Sequence, residues 1–365
     1  MSRLNLVTGG AGFIGRHLVR RLSERGERVR VLDIADPGPV PPGVEVIRGT
    51  ITDARTVREA LVGVDRLYHL AANPDLWTRD PRDYELVNVE GTRTVLNEAA
   101  ACDLQRIVFT STESILKSRH RNGVNGDDDD GNMELSLDDM AGPYCRSKYL
   151  AERLAFAAID RGQPIVVVNP TMPVGPGDHH LTPPMQMLLR FLDGRAPAYL
   201  ETEFNLIHVR DAAEGHVLAA DLGRIGERYV LGGENLKLSE VLAILGEVSG
   251  LPMPRYRIPY WLALTTATIS EFISDRFTGR PPVAPVTGVR LAAASLSFDC
   301  SKAIRELGLP QTPVRQALAE AVDWFVRDGR LKRPLPRRAG EILSQQRRPA
   351  ALDAPAPAGG DNPLV

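Results

Sequence analysis

Short apolar runs alternate along the first half of the chain with stretches whose apolar residues recur every three or four positions. Leu4–Thr8, Val29–Asp33, Val44–Arg48, Arg66–Leu70, Arg106–Thr110 and Ile165–Asn169 are brief and rich in Val, Ile and Leu. Runs of this kind predict strands buried on both faces of a sheet. Helical spacing fills the gaps: Phe13 to Arg25, closed by Gly26; about Tyr84 to Ala101; and Pro143, suited to a first helical turn, to near Gly162. Strand–helix alternation predicts a doubly wound α/β domain, a parallel sheet with helices on both sides.

After Pro170 the rhythm breaks, because Pro and Gly crowd into Pro170–Pro184. A return to the sheet is expected at Leu206–Asp221 and Tyr229–Leu231. From Leu238 to about Arg330 the pattern is mainly helical, with Val314, Leu318, Ala321, Val322 and Phe325 at helical spacing. The expected organisation is a Rossmann-type nucleotide-binding domain over 1–170 and about 206–235. A smaller substrate lobe takes 171–205 and 236–334, and a flexible tail rich in Pro, Ala and Arg takes 335–365. The Asp127–Asp130 run between two glycines reads as a solvated loop. No internal repeat is present.

Composition narrows the function classes. A net charge of −2 over 365 residues gives no electrostatic case for nucleic acid as a partner. The three widely spaced cysteines suit neither a disulfide framework nor a zinc site, so a cytoplasmic location is expected. The chain enters its first strand at once, with no sign of a leader peptide. Ile258–Ile273 is the most apolar late stretch, but it is shorter than the roughly 20 residues a membrane span needs and is interrupted by Thr265, Thr266, Thr268 and Glu271. It reads as a buried or lid helix, with peripheral lipid contact as the alternative; stable membrane insertion is not expected. His179–His180 has no companion at ligand spacing, so no metal is expected.

Thr8-Gly9-Gly10-Ala11-Gly12-Phe13-Ile14-Gly15 joins the first strand to the first helix. Gly9, Gly12 and Gly15 allow a tight turn and a close backbone approach to a pyrophosphate, which the free N–H groups of a helix start attract. Asp33 ends the second strand, 18 residues after Gly15. There it can accept from an adenine-ribose diol and would repel a 2′-phosphate. No Arg or Lys stands at 34–36, so NAD is preferred to NADP.

These motifs, with His69-Leu70-Ala71-Ala72, Asn88-Val89-Glu90-Gly91-Thr92 and Tyr144-x-x-x-Lys148, resemble the NAD-dependent epimerase/dehydratase family of extended short-chain dehydrogenase/reductases. Asn169–Asp178, Asn205–Val209 and Gly226–Asn235 are similar to the hopanoid-associated sugar epimerase subgroup, near dihydroflavonol-reductase-like enzymes. The resemblance implies a cofactor site of Gly9, Gly12, Phe13, Ile14, Gly15, Asp33, Leu70, Ala71, Ala72, Asn88, Thr110, Tyr144, Lys148, Asn169 and Pro170. It implies Tyr144 as proton acceptor and donor, Lys148 as holder of the nicotinamide ribose, and Thr112 as the hydroxyl at the reacting oxygen. It also implies a homodimer through the helices at Tyr84–Ala101 and Pro143–Arg161. Relatives carry an acid after the glycine that ends the third strand; here Gly49 is followed by Thr50, and Asp53 reads as a helix N-cap.

Three readings of the chemistry stand open. Tyr144 and Lys148 share a helix face, and a cation beside a phenol of ordinary pKa near 10 is expected to make it more acidic. With that pair, a sugar or polyol epimerase and a net ketoreductase or alcohol dehydrogenase are both possible, and a non-catalytic NAD-binding scaffold is the outsider. A dehydratase is disfavoured, because Thr112-Glu113-Ser114 lacks the second carboxyl that water elimination uses. The arginines that clamp a nucleotide diphosphate in related epimerases fall here on Phe204 and on Val289, with Arg290 one position off. The expected partner is therefore a small molecule, either a sugar, a polyol or a lipid-linked alcohol or ketone. Asp75, Trp77, Met172, Tyr199 and Phe204 are its candidate contacts.

Overall fold

The protein is described by a computed structural model covering residues 2–116, 136–294 and 297–336. The Asp127–Asp130 run and the tail from 337 onward lie outside the described residues. In chain order the first half runs β1 (Leu4–Thr8), α1 (Phe13–Glu24), β2 (Arg28–Asp33), β3 (Glu45–Arg48), α2 (Ala54–Leu61), β4 (Arg66–His69), α3 (Arg82–Tyr84), a π turn over Glu85–Gly91, α4 (Thr92–Ala99), β5 (Arg106–Thr110), α5 (Pro143–Asp160) and β6 (Ile165–Pro170). The second half continues β7 (Met172–Val174), α6 (Pro183–Leu192), β8 (Ala198–Tyr199), β9 (Glu203–His208), α7 (Val209–Leu222), β10 (Arg228–Leu231), β11 (Glu234–Lys237), α8 (Leu238–Ser249), β12 (Tyr256–Arg257), α9 (Tyr260–Ile273), a π turn over Ser274–Thr278, α10 (Val286–Ala294), α11 (Ser301–Leu307) and α12 (Val314–Arg327).

Seven parallel strands form the main sheet in the order β3-β2-β1-β4-β5-β6-β10. The strands alternate between two cores, as a pleated sheet requires. Leu6, Leu67 and Ile107 meet α2, α4 and α5 on one face. Val7, Tyr68 and Val108 meet α1, α7 and α11 on the other. Successive strands are added first on one side of β1 and then on the other, so the chain reverses between β1 and β4. The carboxyl ends of those strands are where an open α/β sheet leaves a ligand crevice.

Of the expected return, α7 and β10 pack with this sheet. β9 lies apart, between β7 and β11 in a three-stranded sheet. The lobe's main core gathers Met185, Leu188 and Phe191 of α6, Val241, Leu245 and Val248 of α8, and Leu318, Val322 and Phe325 of α12. Leu335, placed by sequence at the start of the tail, packs against that core. The expected buried helix at Ile258–Ile273 is α9, and one of its faces is open to solvent. Among the described residues no helix is long and apolar enough to cross a membrane.

Candidate active site

The glycine turn shows why its sequence is as it is. Gly9 has φ +75°, and a Cβ there would stand 2.7 Å from the Ala71 nitrogen. A Cβ on Gly15 would stand 2.1 Å from the Gly9 carbonyl oxygen. Gly12 caps α1 without any side-chain hydrogen bond, and the first turn holds no acid, so its N–H groups face an anion unopposed. Side chains at Gly9 or Gly15 would fill the cradle; the residues present fit a dinucleotide pyrophosphate. Phe13 and Ile14 continue the turn into α1, packed against the lobe's core. The Asp33 carboxylate accepts from the Ala11 N–H at 2.9 Å and from the Ala35 N–H at 2.9 Å. It thereby ties the end of β2 to the glycine turn and keeps lone pairs for a diol. Arg16, a residue outside the glycine motif, braces the same place by donating to the Ala11 carbonyl at 2.8 Å and to the Pro37 carbonyl. Its position directly after Gly15 was the available signal. Asp53 caps α2 by accepting from the Arg55 and Thr56 N–H groups, and the Thr50 and Thr52 hydroxyls bond each other at 2.9 Å.

Behind the crevice, buried polar groups fix the strand ends. His69 bonds Thr8 Oγ1 at 2.7 Å through Nδ1 and Thr92 Oγ1 at 3.1 Å through Nε2. Burial, reinforced by Lys148, drags its pKa down to about 3, so the ring is neutral. Thr8 Oγ1 also accepts from the Ala71 N–H at 3.3 Å, which fixes the Leu70–Ala72 stretch over β1. Asn88, expected at the cofactor, is committed to the protein. Its Oδ1 accepts from the Asn73 N–H at 2.7 Å, and its Nδ2 donates to the Asn73 carbonyl and, at 2.9 Å, to Ser147 Oγ on α5. Asn88 therefore positions the loop after β4 against α5.

Tyr144 lies in the first turn of α5 with its hydroxyl beside Thr112, just beyond β5. Thr112 Oγ1 donates to Glu113 Oε2 at 2.8 Å, and Glu113 is itself buried. Lys148 Nζ donates to the Thr110 carbonyl at 2.8 Å and sits over the Phe109 ring. Burial pulls its pKa down to about 8, against the opposing charge of Glu152. The expected acidification of the phenol by Lys148 is not what the chain's own groups produce. Burial first, then the Glu113 charge, push the Tyr144 pKa above the ordinary phenol value, outweighing the opposing influence of the Thr112 hydroxyl. Burial likewise raises Glu113. Asn169, at the end of β6 with Pro170, donates to the Thr112 carbonyl at 2.9 Å and to Glu152 at 3.0 Å. Asn169 Oδ1 and Ser111 Oγ are buried without a partner among the described residues. Two orphaned polar atoms at the ends of β5 and β6 fit a polar cofactor ring there.

The candidate substrate residues are less closely gathered. Tyr84 Oη donates to the Asp75 carbonyl at 2.8 Å, and the Tyr84 ring meets the Tyr144 ring edge-on. The Trp77 indole donates to Asp275 after α9 at 2.9 Å, which anchors the loop after β4 to the lobe. Met172 and Tyr144 touch the edge of the lobe core, whereas Tyr199 and Phe204 are buried within it. Arg257 also donates to the Tyr199 hydroxyl at 3.0 Å. Val289 is buried against α9, and exposed Arg290 donates to the Ala141 carbonyl at 3.3 Å. His208 and Asp211 brace the lobe: His208 meets Glu320 of α12 at 3.3 Å, and Asp211 accepts from the Thr312 N–H at 2.6 Å.

Comparison with known proteins agrees with this geometry. A putative dihydroflavonol 4-reductase of Synechocystis is 40% identical over 337 residues, covering 89% of this chain and 95% of the relative. Sterol demethylase protein B of Methylococcus capsulatus is 34% identical over 326 residues, covering 88% of this chain and 97% of the relative. The crystal structure of gox2253 superposes with a TM-score of 0.77 at 35% identity, covering 91% of this chain and 100% of that one. The family model described as NAD dependent epimerase/dehydratase matches residues 5–232. With its parallel sheet, glycine turn and Tyr–Lys helix, the chain belongs to that family: it is an NAD-dependent enzyme of the extended short-chain dehydrogenase/reductase type.

Proposed function

We propose that the chain is a net alcohol dehydrogenase or ketoreductase acting on an apolar, non-nucleotide substrate. One observation carries this reading: the two positions that would clamp a diphosphate are Phe204 and Val289, both buried among apolar neighbours. A buried hydrocarbon cannot supply the paired donors that a diphosphate requires. The relatives named for a dihydroflavonol and a sterol support an apolar substrate.

NAD would be held by the Gly9–Gly15 turn, Asp33, the Leu70–Ala72 stretch, Lys148 and the Asn169–Pro170 strand end, and in its oxidised, cationic form would supply the hydride acceptor. Tyr144 takes the proton of the substrate hydroxyl as hydride leaves its carbon. Thr112 hydrogen-bonds the same oxygen, and Lys148, fixed by the Thr110 carbonyl, orients the nicotinamide ribose. Reduction runs these roles in reverse. The test is turnover of a panel of hydroxysterols, dihydroflavonols, 3-oxo acids and UDP-sugars, followed at the nicotinamide absorbance. Stoichiometric NADH formation or consumption with an apolar compound is expected. Conversion of a UDP-sugar with retained NAD and no net absorbance change would overturn the reading. It would install the epimerase instead, which the Asn169–Asp178 and Gly226–Asn235 stretches favour.

The proposed assembly is a homodimer through α4 and α5 and the π turn before them, whose outer faces expose Leu86 and Leu150. Sedimentation of Leu86→Glu/Leu150→Glu should show a monomer; an unchanged state would exclude this interface. The proposed location is the cytoplasm, where Cys102, Cys145 and Cys300, all free, stay reduced.

A further inference from the structure

The lobe carries an apolar face that none of the described residues covers. On α9, Trp261, Thr265 and Thr268–Ile269 with Phe272 recur one helical turn apart and form one stripe. Ala263 and Ala267, on the opposite side, rest on the small core that includes Val289. Trp261 is 66% exposed, Phe272 61% and Phe277 75%. The Phe272 and Phe277 rings touch edge-on at 6.3 Å, and Ile269, Ile273 and Val283 line a shallow groove beside them. Soluble monomers rarely leave so large a contiguous apolar surface without a use.

Three features say what covers it. The threonine hydroxyls in and beside the stripe need no water: Thr265 donates to the Trp261 carbonyl at 2.8 Å, Thr266 to that of Leu262 at 2.9 Å and Thr268 to that of Leu264 at 2.8 Å. Such a face can be dehydrated without orphaning a hydroxyl donor. The acids close by are engaged with protein donors. Glu271 accepts from the Val286 N–H at 2.7 Å and Asp275 from the Trp77 indole at 2.9 Å. The rim is basic, with Arg79, Arg255, Arg276 and Arg280 all exposed around the two ends of the helix. An aromatic and aliphatic stripe with back-bonded hydroxyls and an arginine rim is the chemistry of a helix lying in the interface of an anionic bilayer.

We propose that the α9 face, with Phe277 and Val283, docks the enzyme onto an anionic lipid surface. The lobe around this face is tied to the loop after β4 and to the start of α5. Trp77 is tied to Asp275, and Arg290 of α10 donates to the Ala141 carbonyl just before Tyr144. Docking therefore brings the mouth of the crevice to the membrane. The proposal goes beyond the choice of substrate and stands whether the reaction is reduction or epimerisation.

The experiment is co-sedimentation of the full chain with phosphatidylcholine vesicles, with or without phosphatidylglycerol. Variants are Trp261→Ser/Phe272→Ser/Phe277→Ser and Arg276→Glu/Arg280→Glu. Binding is expected with the anionic vesicles and to weaken with salt. The apolar triple variant should bind about tenfold less and the charge variant several-fold less. Unchanged NAD binding and circular dichroism show that the variants fold. Brominated lipid should quench fluorescence in the native chain and less in Trp261→Phe. No vesicle binding, or binding that neither variant weakens, overturns the proposal. So does a triple variant that turns a self-associated chain into a monomer, because the cover is then a second copy.

Discussion

At the scale of single residues, the site is governed by competition over one proton. Tyr144→Phe keeps the ring and its packing but removes the acid–base group. NAD affinity should persist while turnover falls by about two to four orders of magnitude; undiminished turnover would move the proton to another group. Glu113 raises the Tyr144 pKa, so its anion disfavours the phenolate that alcohol oxidation needs. Glu113→Gln removes that charge while retaining an acceptor for Thr112. The acidic limb of the pH–rate profile for oxidation should therefore move to lower pH. A limb that stays put would mean that Glu113 is neutral throughout the working range. That Tyr144 and Lys148 lie one turn apart on α5 was legible from their i,i+4 spacing, and the choice of Thr112 beyond β5 came from the resemblance. The influence of Glu113 was not, because the turn at Glu113–Ile115 decides where that side chain goes. Nor was the shift of the phenol, which depends on burial and on how Lys148 is held.

At the scale of elements, two glycines at opposite ends of one helix do different work. Gly15 lies inside α1, where its missing Cβ lets the helix start rest on the Gly9 carbonyl. Gly26 ends the same helix at φ +73° with nothing within 4 Å of a Cβ. Gly15→Ala forces backbone apart at the pyrophosphate cradle and should weaken NAD binding by about tenfold or more, read by titration calorimetry. Gly26→Ala should cost about 1 kcal/mol of stability through left-handed strain and leave NAD affinity unchanged. Equal affinities in the two variants would remove the cradle argument. Strand and helix bounds were legible to within a few residues, since buried parallel strands and helix ends have strong local signals. The place of β9 was not. Its apolar run suits either sheet, and only pairing with β7 and β11 decides.

At the scale of the whole molecule, neutral histidines, His69 and His216 fully buried and His17 partly so, tie the pieces together and make the fold sensitive to acid. His69 joins β1, β4 and α4; His216 joins β5 to its own helix through Thr110 Oγ1 at 3.1 Å and the Ala212 carbonyl at 2.7 Å; His17 reaches from α1 to the Pro176 carbonyl at 2.9 Å. Burial lowers all three, to about 3, 4 and 4. A histidine whose folded pKa lies below its unfolded value binds fewer protons when folded. Its contribution to stability is therefore whole above the unfolded pKa near 6.5 and is lost progressively as pH falls toward the folded value. For the fully buried His69 and His216 the slope approaches ~1.4 kcal/mol per pH unit each. Urea melts taken from pH 7 down to 5 should thus show falling stability, steeper than in His69→Gln, which is uncharged at both ends of the range. Stability that is level or rising over that interval would mean that these rings carry protons in the folded protein. In that case the strand ends beneath the cofactor would hold a charge, and the electrostatics drawn for Lys148 and Tyr144 would have to be rebuilt around it.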